Sequence, residues 1–135
     1  MASGKSNYLA QKVLDVEFGL GSFTFPTTGY LALFTASPGA GNTGTEVSGN
    51  NYSRVSVAMS SGQWTRSGQT VTNNNLISFP VFSGTVGTVV AVGIYDAASS
   101  GNLLWFADLA GAYQKSFSAN DQAVYPAQSI SITES

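Results

Sequence analysis

The chain has 135 residues, of which 43% are hydrophobic and only 9% charged; its formal net charge is −2, and it has no histidine and no cysteine. An ordinary soluble domain is roughly a quarter charged, so solubility here rests on serine, threonine, asparagine and glycine. The missing residue types exclude a Ser-His triad, a thiol nucleophile, a disulfide framework and an ordinary zinc site.

In chain order, SNYLAQKVLDVEFG (residues 6–19) predicts the only helix, with Ser6 or Asn7 as cap and Gly19 as its left-handed stop. Leu9, Val13 and Val16 fall on one apolar face, so this is a short helix packed on its own domain or an arm docking on a neighbour. GYLALFTA (29–36) is apolar throughout, as a strand buried on both faces would be, and Ser37-Pro38-Gly39 ends it. Gly49-Asn50-Asn51 turns the chain into YSRVSVAM, which places Val55, Val57 and Met59 on one face. Glu46 and Arg54 pair across that loop at its surface, where an ion pair contributes only about 0–1 kcal/mol. QWTRSGQTVT predicts two short strands around Ser67-Gly68, and LISF another closed by Pro80. Asn73-Asn74-Asn75 is expected as a turn with left-handed backbone. TVVAVGIYDA and NLLWFADLA form a hairpin around Ala98-Ser99-Ser100-Gly101, and QSISITES ends the chain as a half-buried strand with Ile130 and Ile132 inward. About eight short strands with regular turn signals predict an all-β fold, an antiparallel β-sandwich of jelly-roll type with one short N-terminal helix. Residues 1–135 read as one domain, with residues 6–19 as its helix or docking arm.

The five basic residues, Lys5, Lys12, Arg54, Arg66 and Lys115, are scattered, no two closer than seven positions. Nucleic-acid binding and an electrostatic membrane anchor both need a clustered basic face, so neither is expected. No segment approaches the ~18 uninterrupted apolar residues of a membrane span, and MASGKSNYLAQK lacks the apolar core of a signal peptide. No loop carries the alternating acidic pattern of a calcium site, so neither metal nor cofactor is expected. A glycosidase needs only two carboxylates, but nothing in the spacing of Asp15, Glu17, Glu46, Asp96, Asp108, Asp121 and Glu134 selects a pair, and no enzyme is expected. Among the aromatic residues Tyr52, Trp64, Tyr95, Trp105, Tyr113 and Tyr125, Trp105 lies in an apolar run and is assigned to the core. Trp64, between Gln63 and Thr65, is the candidate ligand-facing aromatic.

Four segments carry a family resemblance: SNYLAQKVLD; YLALFTASP followed by GTEVSGNNYSR; ISFP; and VGIYDAASSGNLLWFADL. In this order they resemble small virion proteins of tailed bacteriophages, commonly labelled tail fibre proteins, and the likeness covers most of the chain. It implies a structural protein of the virion, assembled in the host cytoplasm, with no catalytic residues to carry over. The first expectation is a capsid decoration or cement protein: a homo-oligomer, trimer or dimer, bound to the major capsid protein or other virion proteins. The alternative is a tail or neck fibre knob that binds a host-surface receptor, with a virion-associated glycan hydrolase as a remote third. The candidate interface residues are Leu9, Val13, Val16, Glu46, Tyr52 and Arg54.

Overall fold

A strand that is apolar at every position needs cover on both faces, and the computed structural model, which describes residues 2–134, is arranged around one such strand. The elements in order are β1 (Ser3–Lys5), α1 (Asn7–Glu17), β2 (Thr28–Ala36), β3 (Thr45–Glu46), β4 (Val55–Ala58), β5 (Trp64–Ser67) and β6 (Thr70–Asn73). They continue with β7 (Ile77–Ser78), β8 (Gly87–Val89), β9 (Ala91–Tyr95), β10 (Leu103–Asp108), β11 (Lys115–Phe117), β12 (Val124–Tyr125) and β13 (Ser131–Thr133). The largest sheet runs β1-β10-β9-β2, with β3 and β4 sharing the remaining edge of β2. β4 pairs with Thr28–Leu31 and β3 with Phe34–Ala36, all antiparallel. Three small antiparallel sheets, β8–β11, β7–β12 and β5–β6–β13, complete the described strands.

Alternation along β2 sends its residues into two cores. Leu31 and Leu33 join Val92, Ile94 and Ala107 against Phe79, Phe82, Phe117, Tyr125, Ile130 and Ile132 from the smaller sheets and their connections. Ala32 and Phe34 face the other way, with Ala91, Tyr95, Leu103 and Phe106. Gly93 is required here: a β-carbon would stand 2.7 Å from Leu103 Cδ1 and 2.9 Å from Phe34 Cε1.

The all-β expectation holds, and the strands expected at 29–36, 52–59 and 63–72, with the 88–110 hairpin, are present, their ends shifted by up to three residues. The segment 88–97, expected as one strand, divides. β8 pairs with β11 and β9 with β2 and β10, because the chain changes sheets at Val90, whose amide donates to the Phe34 carbonyl at 2.9 Å. β1 was not foreseen, since SGK has no apolar pattern; it is held by backbone pairing to β10. Asn73–Asn75 is not a left-handed turn, and none of the three has positive φ. Asn73 is fully buried instead, with Nδ2 donating to the Asn75 and Pro126 carbonyls and Oδ1 accepting from the Ile130 amide, each at 2.9 Å.

Ser6 caps α1: its Oγ accepts from the Leu9 amide at 3.1 Å and donates to the Leu103 carbonyl at 2.5 Å, tying the helix start to β10. The exit closes at Gly19 (φ 70), where the Leu20 amide returns to the Asp15 carbonyl at 2.8 Å and the Gly19 amide to Val16, the Schellman arrangement. The apolar stripe is only partly covered. Leu9 is buried, Val13 half-buried and Val16 exposed, because the helix rests on β10 and β1 by its first turns while its last turn stays open to solvent among the described residues.

Asn73→Ala strands the buried Ile130 amide and removes the hydrogen bonds to the Asn75 and Pro126 carbonyls. It should cost about 2–3 kcal/mol and lower Tm by about 8–12 °C. Asn75→Ala, at an exposed side chain, should stay within about 0.5 kcal/mol. Equal effects of the two substitutions in thermal unfolding would contradict the assignment of Asn73.

Candidate functional site

The loop GTEVSGNNYSR brings three candidate residues together. Gly49, Asn50 and Asn51 have φ of 72°, 54° and 66°, and this left-handed run folds Tyr52 and Arg54 back onto Glu46 of β3. Arg54 grips the carboxylate with both ends of its fork, Nε to Oε2 at 2.9 Å and Nη2 to Oε1 at 2.8 Å. Its Nη1 donates to the Ala97 and Ser100 carbonyls, each at 2.8 Å, and the guanidinium lies 3.6 Å above the Tyr95 ring. Tyr52 Oη donates to Glu46 Oε2 at 2.6 Å and accepts from the Leu33 amide at 3.1 Å. The pair is therefore not the surface pair expected: the Arg54 side chain is 7% exposed and that of Glu46 24%. The sequence suggested their pairing but not their burial, because the lid over Arg54 comes from the distant β9–β10 hairpin.

The electrostatics follow from this packing. Burial alone would push the Glu46 carboxyl up, but hydrogen bonds from Arg54 and Tyr52 and the charge of Arg54 outweigh it, so the group sits below the usual carboxylate range. Burial, with the hydrogen bond to Glu46, pushes the Tyr52 phenol well up. A carboxylate clamped between a guanidinium and a neutral phenol is neither a free base nor a nucleophile. These residues brace the fold.

The second feature is a groove of about 630 Å³ between the largest sheet and β5–β6–β13, in the size range of ligand pockets. Met59, Trp64, Val71, Ile94, Trp105 and Ile132 make its apolar walls, with Arg66, Gln69 and Glu134 among its polar neighbours. Trp64, the candidate ligand-facing aromatic, is half-buried here, its Nε1 donating to the Ala58 carbonyl at 3.1 Å. Trp105 departs from its core assignment: it packs against the larger core but is half-buried and also lines the groove. Glu134 is paired with Lys5 at 2.8 Å, while Arg66 donates only to the Gly68 carbonyl, also at 2.8 Å. Sequence reasoning missed Met59, Val71 and Ile132 as groove residues, since only the meeting of separate strands creates the space.

Three more carboxylates are engaged in structural contacts. Asp96 accepts from the Asn102 amide and Asp121 from the Ser118 amide, both at 2.8 Å, and Asp108 accepts from Ser37 Oγ at 2.5 Å. Among the described residues, no three acidic side chains gather as a cation site requires, and no helix is long and apolar enough to cross a membrane.

Across residues 4–133 the chain matches the family of Podophage GP4 fiber I protein gp80. It belongs to this family. The resemblance read from the sequence thus holds, and the chain is a structural protein of a tailed-phage virion. No curated protein matches it. Family membership agrees with a site that offers buried bracing and an apolar groove in place of reactive groups.

Glu46→Gln weakens the clamp and leaves the buried Arg54 charge uncompensated, so it should cost about 2–4 kcal/mol at neutral pH. The Glu46 pKa is depressed in the folded state. Its contribution is therefore fully present above the ordinary value of 4.5 and lost as pH falls through the folded value. In denaturant unfolding, the gap between wild type and Glu46→Gln should close in strong acid; a gap independent of pH would contradict the clamp.

Proposed function

We propose that this chain is a fibre component of the tail or neck, a compact knob held as a homo-oligomer, trimer or dimer, and attached to other virion proteins. The observation that carries the reading is the family match over nearly the whole chain, whose description is of a fibre protein. A tail or neck position also gives the knob access to a host-surface receptor. The role calls for no catalysis, and Glu46, Asp96, Asp108, Asp121 and Glu134 are all engaged in structural contacts. Residues 1–135 carry no heptad or collagen-like repeat, so in this reading the knob is borne on a stalk or platform.

The composition supports a second reading, decoration of the capsid. With 9% charged residues the surface suits large permanent contacts, and obligate interfaces are depleted of charge. Symmetry separates the two, because a decorating protein follows the shell lattice and a fibre the low-order symmetry of the tail. Densitometry of purified virions should give a few per cent of the major capsid protein, tens of copies or fewer. A ratio near one, or a simple fraction such as one third, would overturn the fibre reading in favour of decoration.

A further inference from the structure

Apart from the edge-on contacts of Phe23 with Tyr8 and Phe25, two apolar surfaces are left uncovered among the described residues. The first is the end of α1 and the segment after it. Of the eight large hydrophobic side chains exposed among the described residues, five lie between Leu14 and Phe25. Phe18 is 73% and Leu20 77% exposed. A leucine after a Schellman stop commonly packs back on the last helical turn, yet here Leu20 and Leu14 both face outward. The second surface is the groove between Trp64 and Trp105.

We propose that the Leu14–Phe25 segment of one copy seats in the Trp64–Trp105 groove of a neighbouring copy. This deepens the homo-oligomer reading above and rests on it. The groove has room for a few large apolar side chains, and its walls are the kind of surface that Phe18 and Leu20 would bury. Charge agrees as well. The segment carries Asp15 and Glu17 and no basic residue. At the groove Glu134 is neutralised by Lys5, while Arg66 has no carboxylate partner among the described residues. An acidic segment therefore meets a groove with one unpaired cation. The segment does not reach its own groove: Ser6 anchors the helix start to Leu103, and the Met59 amide holds the Thr27 carbonyl at 2.9 Å, so both ends are fixed while Phe18 and Leu20 stand in solvent. Contacts between unlike patches close into a reciprocal pair or a small ring.

Sedimentation of the full chain tests this. Wild type should sediment as an oligomer. The arm variant Phe18→Ser/Leu20→Ser and the groove variant Trp64→Ser should each raise the dissociation constant at least about tenfold. Arg66→Glu, at an exposed side chain, gives a second groove variant that leaves folding intact. An equimolar mixture of arm and groove variants retains one intact arm and one intact groove per pair, so it should recover a two-chain species and nothing larger. Monomeric wild type, a groove variant with wild-type association, or a mixture that stays monomeric would each overturn the contact. So would a groove variant that stays oligomeric but loses binding to host envelope, because the groove would then be a receptor site. Virion copy number does not enter this test, so failure of the fibre reading and failure of the contact remain distinguishable.

Discussion

The guanidinium of Arg54 is the constraint on which the arrangement around β2 depends. A strand apolar on both faces needs two covers, and the small sheets supply only one. On the other face Arg54 lies flat over Tyr95, which in turn stacks on Phe34. A guanidinium keeps its charge in a protein, so it can stand there only with its donors occupied. Glu46 and the carbonyls of Ala97 and Ser100 take four of its five N–H groups. Bidentate pairing admits one mutual orientation, so the same contacts align β3, the turn leading to β4 and the β9–β10 loop. Tyr52 links this network to β2 itself through the Leu33 amide.

What was legible in the sequence was local. The unbroken apolar run of β2, the Ser6 cap, the Gly19 stop and the alternation of Ile130 with Ile132 each express a rule that acts over a few residues, and each appears in the fold. Features decided by distant strands were not legible. β1 has no pattern of its own and exists because β10 offers an edge. Asn73 reads as a turn former until Pro126 and Ile130 are brought beside it, and then its buried amide satisfies the Ile130 N–H and bridges to the Asn75 and Pro126 carbonyls. Trp105 belongs to an apolar run by sequence, yet the small sheets do not fully cover its side of the largest sheet. The candidate interface residues divide along the same line: Glu46, Tyr52 and Arg54 form internal bracing, Leu9 is core, and Val13 and Val16 lead toward the open end of the helix.

Low charge has a different meaning for a virion component than for a free protein. Virion proteins held close together would repel if each carried a large net charge, and −2 on this chain keeps its share of that term small. The chain concentrates part of its few charges in pairs, Glu46 with Arg54 and Lys5 with Glu134.

The distribution of exposed apolar groups bears on assembly more directly than their number. Single exposed hydrophobics are normal on any protein, and Leu76, Val81 and Val124 are of that kind in sequence, well separated from the helix. The cluster from Leu14 to Phe25 differs because the helix could have ended in a polar turn with the same cap and the same glycine stop. Ser6, Leu9 and Gly19 account for the position and length of α1 without any help from Phe18 or Leu20. Side chains that are not needed to start or stop their own helix, yet are large, apolar and grouped, form the kind of patch that marks interaction surfaces in proteins generally.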